Sequence, residues 1–204
     1  MFEEEVVDGI DAVSRFFEPL CIEIETCELE VMSNPNFNEP RDHLFDEMIG
    51  LHSKPNRIDL FVVNLPASMG CYRLEGNVNS PEEGNIFIDT ACVNRMGQAF
   101  GFFFGLKNTF HDNGNGAELS DGSNCATTAD EICDTPADPF RSDTLVAYVR
   151  NCEFILEDLD ANGDYYSPDV GNVMGPYSAC WCGFSREQLM LMYANIRNAP
   201  VRYW

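Results

Sequence analysis

The chain is short of positive charge. Its 204 residues hold 12 Lys and Arg against 34 Asp and Glu, a formal net charge of -22. Such a polyanion repels nucleic acid and anionic membrane surfaces, and it suits cations or solubility in a salty extracellular medium. No apolar stretch in the sequence reaches the roughly 18 residues that a membrane-spanning helix needs. Histidine occurs only at His43, His52 and His111, and each is expected to lie on the surface. No Cys-x-x-Cys pair is matched by a second Cys or His pair, which leaves a zinc ribbon unsupported. Internal repeats and flexible linkers are also missing. The opening MFEEEVVDG is acidic where a secretory signal carries a basic region, so an export signal is not expected there.

What is present is core material. Apolar residues make up 45% of the chain, with 15 Phe and 7 Tyr, enough to exclude a disordered chain. Nine cysteines are many for a reducing compartment, so disulfides and an extracellular or cell- or particle-surface setting are expected. The odd count leaves at least one thiol free or paired between chains.

Val6, Val7, Ile10, Val13 and Phe17 recur at helical spacing and predict a helix over 3–17. CIEIETCELEV (21–31) alternates as a strand, but its apolar phase slips near Thr26 from even to odd positions, which predicts a bulge or crossing. Strands are predicted at 57–63, 71–74 and 85–89, then a helix over about 93–105. From 111 to 184 periodicity gives way to Asp, Asn, Gly, Ser and Pro, so loops pinned by Cys125, Cys133, Cys152 and Cys180 are expected. A capping box at Ser185 and Gln188 opens a last helix, with Leu189, Met192, Tyr193 and Ile196 as its buried stripe. The reading is a mixed α/β (α+β) chain with helices packed on a sheet.

The segment GQAFGFFFGLKNTF (97–110) is unusual, with glycines four apart and three successive phenylalanines. Taken with ELSDGSNCATTADEICDTPADPF and DANGDYYSPDVGNVMGPYSACWCGFSREQLMLM, it resembles the pappalysin family of metzincin zinc peptidases, closest to the bacterial, cytophagalysin-like branch. The resemblance implies a twisted, mostly parallel sheet with an antiparallel edge strand, two long helices, and a loop-rich, disulfide-bonded C-terminal subdomain. It implies an N-terminal subdomain over 1–110 and a C-terminal one over 111–204, together one catalytic-type domain.

The metzincin signature places two His four apart on one helix face, a general-base Glu beside the first, a Gly turn and a third His. Gly105 sets the register, because GLKNTF stands where the family writes Gly-Leu-x-His-Thr-Phe. The first ligand position is then Gln98, the base Ala99, the second ligand Phe102 and the third Asn108. Phe has no lone pair, neutral amides are poor zinc donors, and Ala takes no proton. By this reading no zinc is expected. Met174 takes the Met-turn position, Cys71, Tyr72, Arg73 and Leu74 form the peptide-edge strand, and Phe102 fills the former metal position, its burial contributing about 2 kcal/mol.

DLDANGDYYSPD carries Asp158, Asp160, Asn162 and Asp164 at calcium-loop spacing, with Asp169 where a bidentate Glu belongs. The segment is a Ca²⁺ loop or an ion-free acidic turn, and the sequence leaves both open. The function expected is that of a catalytically inactive pappalysin-like module. It would bind a protein or peptide partner by strand addition, or assemble with copies of itself or with a larger complex. The alternative is an active metal-dependent peptidase or hydrolase with a non-standard metal site.

Overall fold

The computed structural model describes residues 3–41, 43–81, 84–110, 114–141 and 148–203; His111 and Trp204 lie outside them. The protein is mixed α+β, with four α-helices and two small sheets among the described residues. Two compact units form, one of Met1–Gly105 with Met192–Trp204, the other of Leu106–Leu191. No helix is long and apolar enough to cross a membrane among the described residues.

In the first unit, helix α1 (Glu3–Phe17) opens with Glu3, Glu4 and Glu5 and closes near Arg15, charges that suit the helix dipole. It buries Val6, Val13 and Phe17. Helix α2 (His43–His52) precedes strand β1 (Asp59–Val63), then β2 (Tyr72–Glu75) and β3 (Asn85–Asp89). The sheet runs β1-β3-β2, with β1 parallel to β3 and β2 an antiparallel edge.

Side chains alternate across a strand. Phe87 therefore faces one side of β3, where it stacks on Phe61 at 4.7 Å and meets Phe45 of α2 edge-on at 4.9 Å. Phe37, Met48, Val63 and Leu65 complete that core. Ile86 and Ile88 face the other way and are fully buried. On the α1–α3 side the helices approach closely: a Cβ on Gly9 would stand 2.8 Å from the Met96 sulfur.

The strand expected at 21–31 does not form. Residues 22–34 carry no assigned secondary structure, and no main-chain hydrogen bond joins 22–32 to β1 among the described residues. The phase slip explains this, because no single apolar face runs the length of the segment. Ile22 and Ile24 are half-buried, whereas Cys27, Leu29 and Val31 are exposed. The helix expected over 93–105 is shorter, Met96–Phe103 (α3), behind a 3₁₀ turn at Thr90–Arg95. Asp89 caps that turn by accepting from the Ala91 N–H at 2.8 Å, and the Cys71–Cys92 disulfide holds it.

The second unit is mostly loop. Strands β4 (Val149–Arg150) and β5 (Glu153–Phe154) form a hairpin whose turn residues, Asn151 and Cys152, both have positive φ, as a primed turn requires. Disulfides close Cys125–Cys133 and Cys152–Cys180, while Cys21, Cys27 and Cys182 are free. Helix α4 (Arg186–Asn198) begins in this unit and ends in the first. Its capping box is reciprocal: Gln188 N–H donates to Ser185 Oγ at 3.2 Å, and Ser185 N–H to Gln188 Oε1 at 2.9 Å. The buried stripe differs from expectation. Gln188 and Met192 are fully buried, but Tyr193 is 46% exposed. Gln188 turns inward with its Oε1 accepting from Asn172 and from the Ser185 N–H, and Asn195 donates to the Phe104 carbonyl at 2.8 Å.

Candidate functional site

Within the first unit, α3 and β2 bring three of the expected site residues together. The chain enters α3 from the disulfide-held turn, so Cys71 at the head of β2 is tied to Cys92 just before the helix. Tyr72 and Leu74 alternate with Arg73 and Glu75 along the strand. Tyr72 lies opposite Ile88 on the ladder, and its hydroxyl donates to Gln98 Oε1 of α3. Its ring lies 5.5 Å from that of Phe102. Arg73 holds its guanidinium 4.4 Å above the Phe45 ring and pairs with Glu75.

Gln98 and Ala99 are buried, while Phe102 is only half-buried, so the roughly 2 kcal/mol expected from burying Phe102 is realised in part. Phe103 and Phe104 carry the packing instead, with Phe104 meeting Phe17 edge-on at 5.3 Å. Burial pushes the Tyr72 hydroxyl up to about 12, although Arg95 draws it down. It is therefore a neutral donor at physiological pH.

Gly105 ends the helix for two reasons. Its φ is +95°, a conformation that glycine adopts without strain. A Cβ there would also stand 2.5 Å from the Asn195 amide nitrogen that caps Phe104.

These α3 residues do not fit a zinc ion. Gln98 Oε1 is already an acceptor for Tyr72, Phe102 offers no donor atom, and Ala99 offers no base. Neither described histidine, His43 or His52, replaces them. His43 is exposed, and His52 sets its ring 6.1 Å from Phe37 and its Nδ1 3.3 Å from Glu30. No cluster of three or more His, Cys, Asp or Glu is arranged around a common ion among the described residues.

In the second unit, Asn108 is half-buried, and the next residue reaches the turn at Met174: Thr109 N–H donates to the Met174 carbonyl at 3.3 Å. Met174 is fully buried, and its own N–H donates to Asn172 Oδ1 at 2.9 Å. Asn172 in turn donates to Gln188 Oε1 at 2.9 Å, which ties the turn to α4.

Three carboxyls here were given no role by the sequence reading. Burial, with Asp130 nearby, raises Glu118 to about 7. Burial raises Asp130 to about 6 against the pull of the Ile132 N–H and the Thr135 hydroxyl. Asp138 rises to about 6 by burial, although it accepts from Phe140 N–H and the Tyr177 hydroxyl. For Asp130 and Asp138 the signal lay in a carboxylate two residues before an apolar one, Ile132 and Phe140, which caps a turn. A carboxyl titrating near neutrality can exchange protons; Asp130 and Asp138 also brace their turns by accepting main-chain N–H groups, whereas Glu118 Oε2 is buried with no hydrogen-bond partner among the described residues.

The acidic loop is closed by its own backbone. Asp160 Oδ1 accepts from Asn162 N–H at 2.8 Å and Asp164 N–H at 3.0 Å, and Oδ2 accepts from Ser120 N–H at 2.8 Å. These bonds hold the Asp160 carboxyl below its usual range. Asp158 accepts from Leu159 N–H and Asp169 from Gly171 N–H, so three of the four expected carboxylate ligands are turn acceptors. Comparison with family models, curated proteins and solved structures finds no match.

Proposed function

We propose that the protein is a catalytically inactive module of the metzincin type, similar to pappalysins, that binds a protein or peptide segment or serves as an assembly subunit. The observation that carries this reading is the state of the signature positions on α3. Gln98 is bonded to Tyr72, Ala99 is buried, and Phe102 packs on the same tyrosine. Each supplies packing where the signature needs a metal donor or a base.

The retained parts support the same reading. Gly105 turns the chain after α3, Met174 sits fully buried in a hydrogen-bonded turn, and β2 is an antiparallel edge. Such an edge can accept a partner segment through main-chain bonds without cutting it. The three disulfides suit an oxidising compartment, and we place the protein outside the cell or on a cell or particle surface.

Metal analysis of protein prepared without added zinc, together with a peptidase assay, tests the proposal. Far less than one zinc per chain and no chelator-sensitive cleavage are expected. One zinc per chain, with cleavage lost on chelation, would overturn it. Light scattering then separates a monomeric binder from an assembly subunit.

A further inference from the structure

The sheet has a second edge, and it opens into a cleft. Strand β1 and the segment 21–32 line a space of about 1130 Å³ together with Val6, Phe100 and Phe104. That exceeds the roughly 300–1,000 Å³ of ordinary small-molecule pockets. The main-chain direction of β1 follows from its end. Leu65 N–H donates to Asp89 Oδ2 at 2.7 Å, on the β3 side, whereas Asn64 N–H donates the other way, to the Asn38 carbonyl at 2.9 Å. Successive groups alternate along a strand, so Leu60 and Val62 aim their N–H and C=O away from β3, as Asn64 does. Among the described residues no main-chain bond meets them there.

We infer that this cleft is a docking slot for an extended segment of another protein in which apolar and basic residues alternate, added as a strand along β1. An apolar ligand such as an acyl chain would leave the Leu60 and Val62 groups unsatisfied, whereas a strand pairs them. The chain's own segment does not fill the place, because its apolar phase slips at Thr26.

The rim selects the charge. Glu28 is taken by Lys54 at 2.6 Å and Arg57 at 3.0 Å, and Glu30 lies 3.3 Å from His52. Glu23 and Glu25 line the cleft with no cationic partner among the described residues, and they would meet alternate Lys or Arg side chains. A second copy of this chain lacks that pattern, since none of its 12 basic residues stand two apart.

The inference does not rest on loss of catalysis, and the test keeps the two apart. A fluorescein-labelled peptide of alternating Lys and Val is titrated into the full chain, with a Glu–Val peptide as control and amide hydrogen exchange as the map. Binding of the Lys–Val peptide alone is expected, weakened about tenfold between ~0.05 and ~0.5 M salt. Glu23→Gln with Glu25→Gln should weaken it about three- to tenfold at low salt. Exchange at the Leu60 and Val62 amides should slow on binding.

Equal binding of both peptides would overturn the proposal. So would Leu60 and Val62 amides already protected in the free protein, which would mean that 21–31 closes the slot itself. Slowing at Tyr72 and Leu74 instead would move the peptide to β2, sinking the slot but leaving the pseudoprotease reading intact. Saturation by oleate with no peptide binding, or a dimer in light scattering that loses the slot, would also overturn it.

Discussion

In the first unit, Phe17, Phe45, Phe87 and Phe103 are wholly buried, and the strands carry Ile86 and Ile88 between two helical layers. In the second, the longest strand among the described residues is two residues, and Glu118, Asp130 and Asp160 are buried as well as Val173 and Met174. One unit is held by area removed from water, the other by side chains that bond the backbone and by cystines. The difference decides what each tolerates. An apolar core loses stability in proportion to volume removed, whereas a polar framework loses it when one acceptor leaves its donors stranded.

The largest effect should come from the apolar side. Phe87→Ala removes the ring that stacks on Phe61 and meets Phe45, and should cost about 3–5 kcal/mol in urea unfolding followed by far-ultraviolet dichroism. A loss below about 1 kcal/mol would mean that the sheet's core is loosely packed.

The matching break in the second unit is covalent. Cys152→Ser with Cys180→Ser opens a loop of sequence separation 28 and should cost about 2–4 kcal/mol. Hydrogen exchange should localise the loss to Leu106–Leu191. An equal loss in the first unit would undo the contrast.

Acid should separate the units next. Folded Asp130 keeps its proton to about pH 6 and Glu118 to about 7, whereas unfolded carboxyls release theirs near pH 4. Between those values the folded state binds more protons, so stability is greatest at the acid end and falls as pH rises through 6 and 7. Lowering pH from about 7.5 to 4.5 should therefore stabilise the second unit by about 1–3 kcal/mol. Asp130→Asn should flatten that slope. Stability that falls on acidification over this window would show that these carboxyls are paired or solvated.

The contrast also explains what could be read beforehand. Helix α1 was legible because Val6, Val13 and Phe17 repeat at helical period, and β3 because NIFID is a short apolar run. The capping box at Ser185 and Gln188 was legible because it is local chemistry. Helix α2 carried its signal in Leu44, Phe45, Met48 and Ile49, but ten residues between polar loops are easily passed over. The missing strand at 21–31 turned on whether a phase slip bends a strand or prevents one, which depends on the neighbouring face. The Tyr72–Gln98 bond joins residues 26 apart, and nothing local announces it. The buried carboxyls escaped because acidic residues are expected outside unless their partners are known.

A smaller break tests the acidic loop. Asp160→Asn keeps one acceptor oxygen but loses the charge that three main-chain N–H groups share, and should lower the melting temperature by a few degrees. The same loss in calcium and in chelator would identify a hydrogen-bonded turn. A loss seen only in calcium would identify an ion site.

The smallest effect comes from a single polar bond between side chains of the first unit. Tyr72 and Gln98 form a polar link between edge strand β2 and helix α3, and burial keeps the hydroxyl neutral to about pH 12. Tyr72→Phe leaves the ring on Phe102 and removes only the donor, so it should cost about 0.5–1.5 kcal/mol. Gln98→Met removes the acceptor at similar volume. If the bond joins them, the double variant should cost less than the two single losses added, by about 0.5–1 kcal/mol. Strict additivity would mean that each side chain is held by other neighbours, and β2 would then be fastened to α3 by the Cys71–Cys92 disulfide and ring packing alone.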